Sequence, residues 1–95
     1  MVYIDKVHYE TDWNGNELYI SELKWTNDLN ENAFQNCTKD ELIAFINNHS
    51  GQAHTKYQWH GYWYDGEEIH VVDNRFLRTD RNNTKADNLG NLPRY

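Results

Sequence analysis

Hydrophobic and polar positions change period along the chain. Val2 to Tyr9 and Leu18 to Trp25 are rich in β-branched and aromatic residues and predict two strands. Between them, Thr11 to Asn16 is a turn cluster containing Asn14-Gly15, a strong hairpin signal. Thr26 to Asn36 is polar and asparagine-rich and predicts a loop. Leu42, Phe45, Ile46 and His49 then fall at i, i+3, i+4 and i+7, with Ile43 beside them, the stripe of an amphipathic helix. Thr38 and Glu41 form a capping box in front of it, and Gly51 offers a stop, so the helix is expected from near Lys39 to near His49. From Thr55 to Tyr64 aromatic residues alternate in a long predicted strand. Asp65-Gly66 turns it, Glu67 to Asp73 returns, and Asp73-Asn74 turns again into Arg75 to Thr79.

Side-chain parity complicates this pattern. A two-residue turn at Asn14-Gly15 pairs Tyr9 with Ile20 and Ile4 with Trp25. Those pairs fall on opposite faces, which calls for a bulge near Lys6 or Ser21-Glu22, or for a longer loop. Further along, two-residue turns set Tyr62 opposite Ile69 and Val71 opposite Phe76, with Tyr57, Trp59, Trp63, Val72 and Leu77 on the other face. Both faces are apolar or aromatic, and one helix covers only one of them. The expected fold is a single α+β domain over residues 1–95, in the order ββαβββ, with an antiparallel sheet packed on one α-helix and the C-terminal tail folded onto the sheet.

Composition narrows the setting. The longest apolar run, Leu42 to Ile46, is far short of the roughly 20 residues a membrane span needs. No secretory signal is recognisable, and Cys37 is the only cysteine, so a cytoplasmic domain without an internal disulfide is expected. The Asn-x-Ser/Thr matches at Asn36, Asn48 and Asn82 then read as chance. The net charge of −6 divides into −9 over residues 1–74 and +3 over residues 75–95. A basic tail on an acidic body either folds back or faces an anion.

Candidate chemistry is sparse. Five histidines lack ligand spacing for a metal site, Cys37 lacks a recognisable base, and no phosphate loop or nucleophile motif occurs, so neither an enzyme nor a cofactor is expected. Tyr57, Trp59 and Trp63, with Arg75 on the same expected face and Arg78 beyond it, are candidates for contact with a partner or a small phosphorylated or nucleotide ligand. The whole-chain charge opposes long nucleic acids. Asp5, Glu10, Asp12, Glu17, Glu22, Asp28 and Glu31 could instead form an acidic contact face, and the commoner role of such a face is solubility.

The run Val71-Val72, Phe76-Leu77-Arg78-Thr79, Asp87-Asn88-Leu89 and Leu92-Pro93, with the helix start from Thr38 to Ile46, resembles the domain-of-unknown-function family 3892 of small, mostly bacterial proteins. Phe76 stands where that family tends to have tyrosine, and the middle strand is longer and more aromatic. The resemblance implies a compact α+β fold and no established activity. Physically, Arg78, Thr79, Asp87, Asn88, Leu89, Leu92 and Pro93 read as a tie fastening the tail, with Arg78 forked onto Asp87. The functional expectation is a non-catalytic binding or regulatory module that contacts another protein through its aromatic sheet face or acidic surface. A phage or mobile-element inhibitor of a host nucleic-acid enzyme, and a binder of a small anionic ligand, are the alternatives.

Overall fold

A computed structural model describes residues 1–48, 51–80 and 84–95. His49, Arg81 and the sequons at Asn48 and Asn82 fall wholly or partly outside the described residues. The order is β1 (Val2–Thr11), β2 (Glu17–Thr26), β3 (Gln35–Thr38), α1 (Lys39–Asn48), β4 (Ala53–Trp59), β5 (Tyr62–Glu68), β6 (His70–Val72) and β7 (Phe76–Arg78). The first five strands form one sheet in the order β3-β2-β1-β4-β5, and β6 pairs with β7 separately. This is an α+β domain, as expected. Its main sheet is mixed rather than antiparallel, because β4 returns parallel to β1. The capping box forms in both directions: Glu41 N donates to Thr38 Oγ1 at 3.1 Å, and Thr38 N donates to Glu41 Oε1 at 2.9 Å. The end of the segment read as loop, Gln35-Asn36, starts β3, whose Gln35–Thr38 pairs with the outer side of β2.

The first hairpin satisfies both expected pairs by breaking register. Ile4 lies opposite Trp25 and Tyr9 opposite Ile20, with irregularities after Ile4, after His8 and after Glu10. Asp5 is the extra residue in β1, and Ser21 is the extra residue in β2 that restores the register. Ile4 and Val7, three apart, therefore both reach the core. The connection is longer than two residues. Asp12 Oδ1 accepts from the N–H groups of Asn14 and Asn16, both at 2.9 Å, and Gly15 takes φ +84°.

Two sequence-based turns need correction. β4 turns into β5 at His60-Gly61, where φ is +50° and +82°, and not at Asp65-Gly66. A type I′ hairpin turn needs left-handed backbone at both central positions; glycine adopts it freely and histidine tolerates it. Asp65-Gly66 lies inside β5 at a bulge, where a Cβ on Gly66 would stand 2.5 Å from Thr55 Oγ1. Tyr62 therefore faces Trp59, not Ile69. The Asp73-Asn74 turn is present, with φ of 56° and 54°, but the loop spans residues 73–75. That extra residue shifts the register, so Val71 faces Leu77 and Val72 faces Phe76.

The sheet forks. Parallel pairing of β1 with β4 stops at Ile4 and Thr55, and the next residues, Asp5 and Lys56, turn to the 27–34 loop. Asp5 Oδ2 accepts from Ala33 N at 2.9 Å. Lys56 Nζ donates to the carbonyls of Asp28 (3.3 Å), Leu29 (3.2 Å) and Glu31. Beyond the fork β1 takes the tail as a neighbour: Val7 N donates to Pro93 O, and Tyr95 N to Val7 O, both at 3.0 Å. β4 and β5 continue away from β1 as a two-stranded arm.

Candidate functional site

The arm carries a ladder of four rings. Its register sets Tyr57 opposite Tyr64 and Trp59 opposite Tyr62. Tyr57 and Trp59 are two residues apart in β4, so all four side chains leave the same face. Tyr57 and Tyr64 stack with centroids 5.6 Å apart. Exposure is 53% at Tyr57, 62% at Trp59, 71% at Tyr62 and 42% at Tyr64. No Lys or Arg occurs in the hairpin apart from Lys56, which leaves by the opposite face.

Trp63 does not belong to this ladder. It pairs with Gln58, whose side chain points to the other face, because the turn at residues 60–61 reverses the parity that an uninterrupted strand would have. Trp63 instead covers the ammonium of Lys56, 4.1 Å from its ring centroid. Lys56 is fully buried, and loss of water lowers its pKa, while the charges of Asp5, Asp28 and Glu31 oppose the shift. The back of the arm is thus a fastening to the 27–34 loop. Its front is open.

Arg75 and Arg78 join neither side of the arm. Arg75 lies in a cleft with Tyr19, Lys39, Asn74 and Phe76, its guanidinium 5.5 Å from the Phe76 ring. Arg78 is buried, and its fork closes on Asp80 (Nε to Oδ1 2.8 Å, Nη2 to Oδ2 2.7 Å) with Nη1 on Ala86 O at 2.8 Å. Its expected partner, Asp87, is engaged elsewhere. Asp87 Oδ1 accepts from Leu77 N at 2.9 Å, and Oδ2 accepts from Ile20 N at 2.8 Å and Lys39 Nζ at 3.0 Å. Two backbone donors from separate strands, plus a lysine at the helix start, make Asp87 a three-way junction with a side chain only 1% exposed. Around it Thr79 N donates to Asn88 O at 3.0 Å, and Asn88 N to Leu77 O at 2.8 Å. Leu89 and Leu92 are buried, Gly90 at φ +72° turns the chain, and Pro93 is exposed while its carbonyl pairs with β1. Arg94 closes the tail with a fork onto Glu17 at 2.7 and 3.2 Å.

The acidic residues of the first third are mostly engaged too. Asp5 is buried, which removes it from the expected surface face. Glu10 pairs with His8 at 3.1 Å, Asp12 caps its own loop, Glu17 holds Arg94, and Asp28 Oδ1 accepts from Asn30 N at 2.9 Å. Cys37 is half-buried, and burial, with Glu41 and Glu22 nearby, pushes its thiol up to about 12, the reverse of a nucleophile's activation. Two ladder residues, Tyr62 and Tyr64, escaped the sequence reading. The signal was the near-mirror order Tyr57-x-Trp59-His60-Gly61-Tyr62-x-Tyr64 around a pair suited to left-handed backbone.

Neither the curated proteins nor the solved structures yield a match to this chain. A family model does, over residues 4–93, which takes in the fork, the ladder and the tail junction together. The chain belongs to that family, described as protein of unknown function DUF3892.

Proposed function

We infer that this domain is a non-catalytic binding module that contacts another protein through the ladder face of the β4–β5 arm. One observation carries the reading: Tyr57, Trp59, Tyr62 and Tyr64 stand together in solvent on a face of the hairpin that, among the described residues, holds no basic side chain. Contiguous apolar surface of this kind marks contact sites on soluble domains, and tyrosine and tryptophan are enriched where binding energy concentrates. A phosphate backbone would find no counter-charge on this face, which favours a protein over a nucleic acid. The lone free cysteine suits a reducing, cytoplasmic setting. The readings through an acidic surface or a small anionic ligand have weaker support, because most of those acids and Arg78 bind internal partners.

Affinity capture from lysate of the cells that encode the chain tests the assignment. A captured protein should be lost with the variant Tyr57→Ser/Trp59→Ser/Tyr62→Ser/Tyr64→Ser and retained with Glu22→Gln/Glu31→Gln. Capture that survives the serine variant contradicts the ladder, and capture lost only with the glutamine variant transfers the contact to the acidic surface.

A further inference from the structure

Beside the ladder lies the open side of β5, which the ring face alone does not use. β5 ends the strand order, so its backbone meets β4 on one side and, among the described residues, no strand on the other. The two-residue turn makes Trp59–Tyr62 and Tyr57–Tyr64 the hydrogen-bonded pairs, and the intervening Trp63 and Asp65 direct their N–H and C=O groups to the open side. Natural sheets usually blunt such an edge with lysine, proline, a bulge or a covering segment. Here the bulge comes only at Gly66, and β5 contains no lysine or proline.

The side chains of β5 divide by face. Tyr62 and Tyr64 belong to the ladder, and Asp65 and Glu68 leave by the opposite face with side-chain exposures of 46% and 63%. His54 meets Asp65 at 2.7 Å and Glu68 at 4.0 Å, with Glu67 exposed between them; Lys56, the cross-strand neighbour of Asp65, directs its ammonium to the carbonyls of the 27–34 loop. We propose that β5 accepts an added strand from a partner protein, and that this strand alternates apolar residues, which pack on the ladder face, with lysine or arginine facing Asp65 and Glu68. Charge complementarity selects this occupant. The β5 of a second copy would bring its own Asp65, Glu67 and Glu68 and no lysine or arginine to meet them. Main-chain bonds to Trp63 and Asp65 would supply affinity and the two faces specificity. The proposal rests on the ladder being a protein-contact face.

Amide hydrogen exchange by NMR on the full chain tests it, with a synthetic peptide of about ten residues alternating valine and lysine as the probe and its valine–glutamate counterpart as the control. The lysine peptide should slow exchange at the Trp63 and Asp65 amides by about tenfold or more, and the glutamate peptide should not. Asp65→Pro, which removes an outward N–H, should abolish the protection. Asp65→Asn/Glu68→Gln, which keeps the backbone intact should the proline variant misfold, should weaken it several-fold. Equal protection by both peptides overturns the charge argument. Shifts confined to the ring signals of Tyr57 and Trp59, without protection at the two amides, overturn strand addition while leaving the ladder reading in place. No response to the lysine peptide at millimolar concentration likewise overturns strand addition, and the capture experiment then judges the ladder separately.

Discussion

The C-terminal tail and the β4–β5 arm both carry large or charged side chains of the kind that mark sites, and they use them in opposite ways. Among the described residues of the tail, Asp87, Arg78 and Arg94 all meet partners in the same chain. Asp87 joins β2, β7 and the start of α1, Arg78 grips Asp80 and Ala86, and Arg94 grips Glu17. In the arm the back face is tied down by Lys56 and Trp63, while four rings on the front remain in water. A concentration of distinctive residue types thus says little about function until their partners are known. The tail holds the fold together, and the arm holds a surface available.

Substitutions sharpen that contrast, beginning with the junction. Asp87→Ala leaves two strand N–H groups and Lys39 without their acceptor, and a loss of about 3 kcal/mol is expected in denaturant titrations. A loss under about 1 kcal/mol would mean the tail is an ornament on the sheet. Lys56→Ala should cost about 2 kcal/mol through lost packing and three unpaired loop carbonyls, and should speed hydrogen exchange at Ala33 N. Unchanged exchange there would uncouple the arm from the 27–34 loop. Arg78→Ala should lower the denaturation midpoint clearly more than Arg75→Ala, because only Arg78 is buried with three bonds. Equal midpoints would return Arg78 to the surface.

The arm should behave in the reverse way. Trp59→Ser or Tyr62→Ser removes an exposed ring and should change stability by no more than about 0.5 kcal/mol, measured in the same titrations. A larger loss would make the ladder structural.

The smallest effect concerns pH. The Tyr95 carbonyl and the nearby Glu10 raise the pKa of His8 from 6.5, and Arg94 lowers that of Glu17 from 4.5. A raised histidine value gives stability that is full below 6.5 and is lost as pH rises through the folded-state value. A lowered carboxyl value gives stability present above 4.5 and lost as pH falls through the folded-state value. Tail fastening should therefore be firmest between about 4.5 and 6.5, and His8→Gln should flatten the decline on its alkaline side. An identical decline in both proteins would remove His8 from the fastening.

Local chemistry made much of this fold legible. The capping box, the helical stripe and the two pairs Tyr9–Ile20 and Ile4–Trp25 could be read from residue types alone, and the conflict between those pairs called for a bulge near Lys6 or Ser21-Glu22 or for a longer loop; the fold uses bulges at Asp5 and Ser21 and a longer loop together. The parts that needed the fold depend on distant partners. Asp87 and Arg78 sit close enough in sequence to suggest each other, but β2 and the helix start compete for Asp87, and Asp80 lies nearer to Arg78. β3 is a polar stretch whose strand pairing is with the outer edge of β2. The ladder was misassembled for a narrower reason. Asp65-Gly66 is the stronger turn dipeptide by propensity, yet Gly66 is needed where a bulge presses on Thr55, and His60-Gly61 makes the turn.

Hydroxyl-radical footprinting of the labelled chain, in lysate of the cells that encode it and in buffer, addresses the division between tail and arm most directly. Tyr57, Trp59, Tyr62 and Tyr64 should lose reactivity in lysate, while Trp13, which is 96% exposed at the other hairpin, keeps its own. Unchanged ladder reactivity, with new protection at Trp13 or at the tail, would contradict the assignment of the contact surface to the arm.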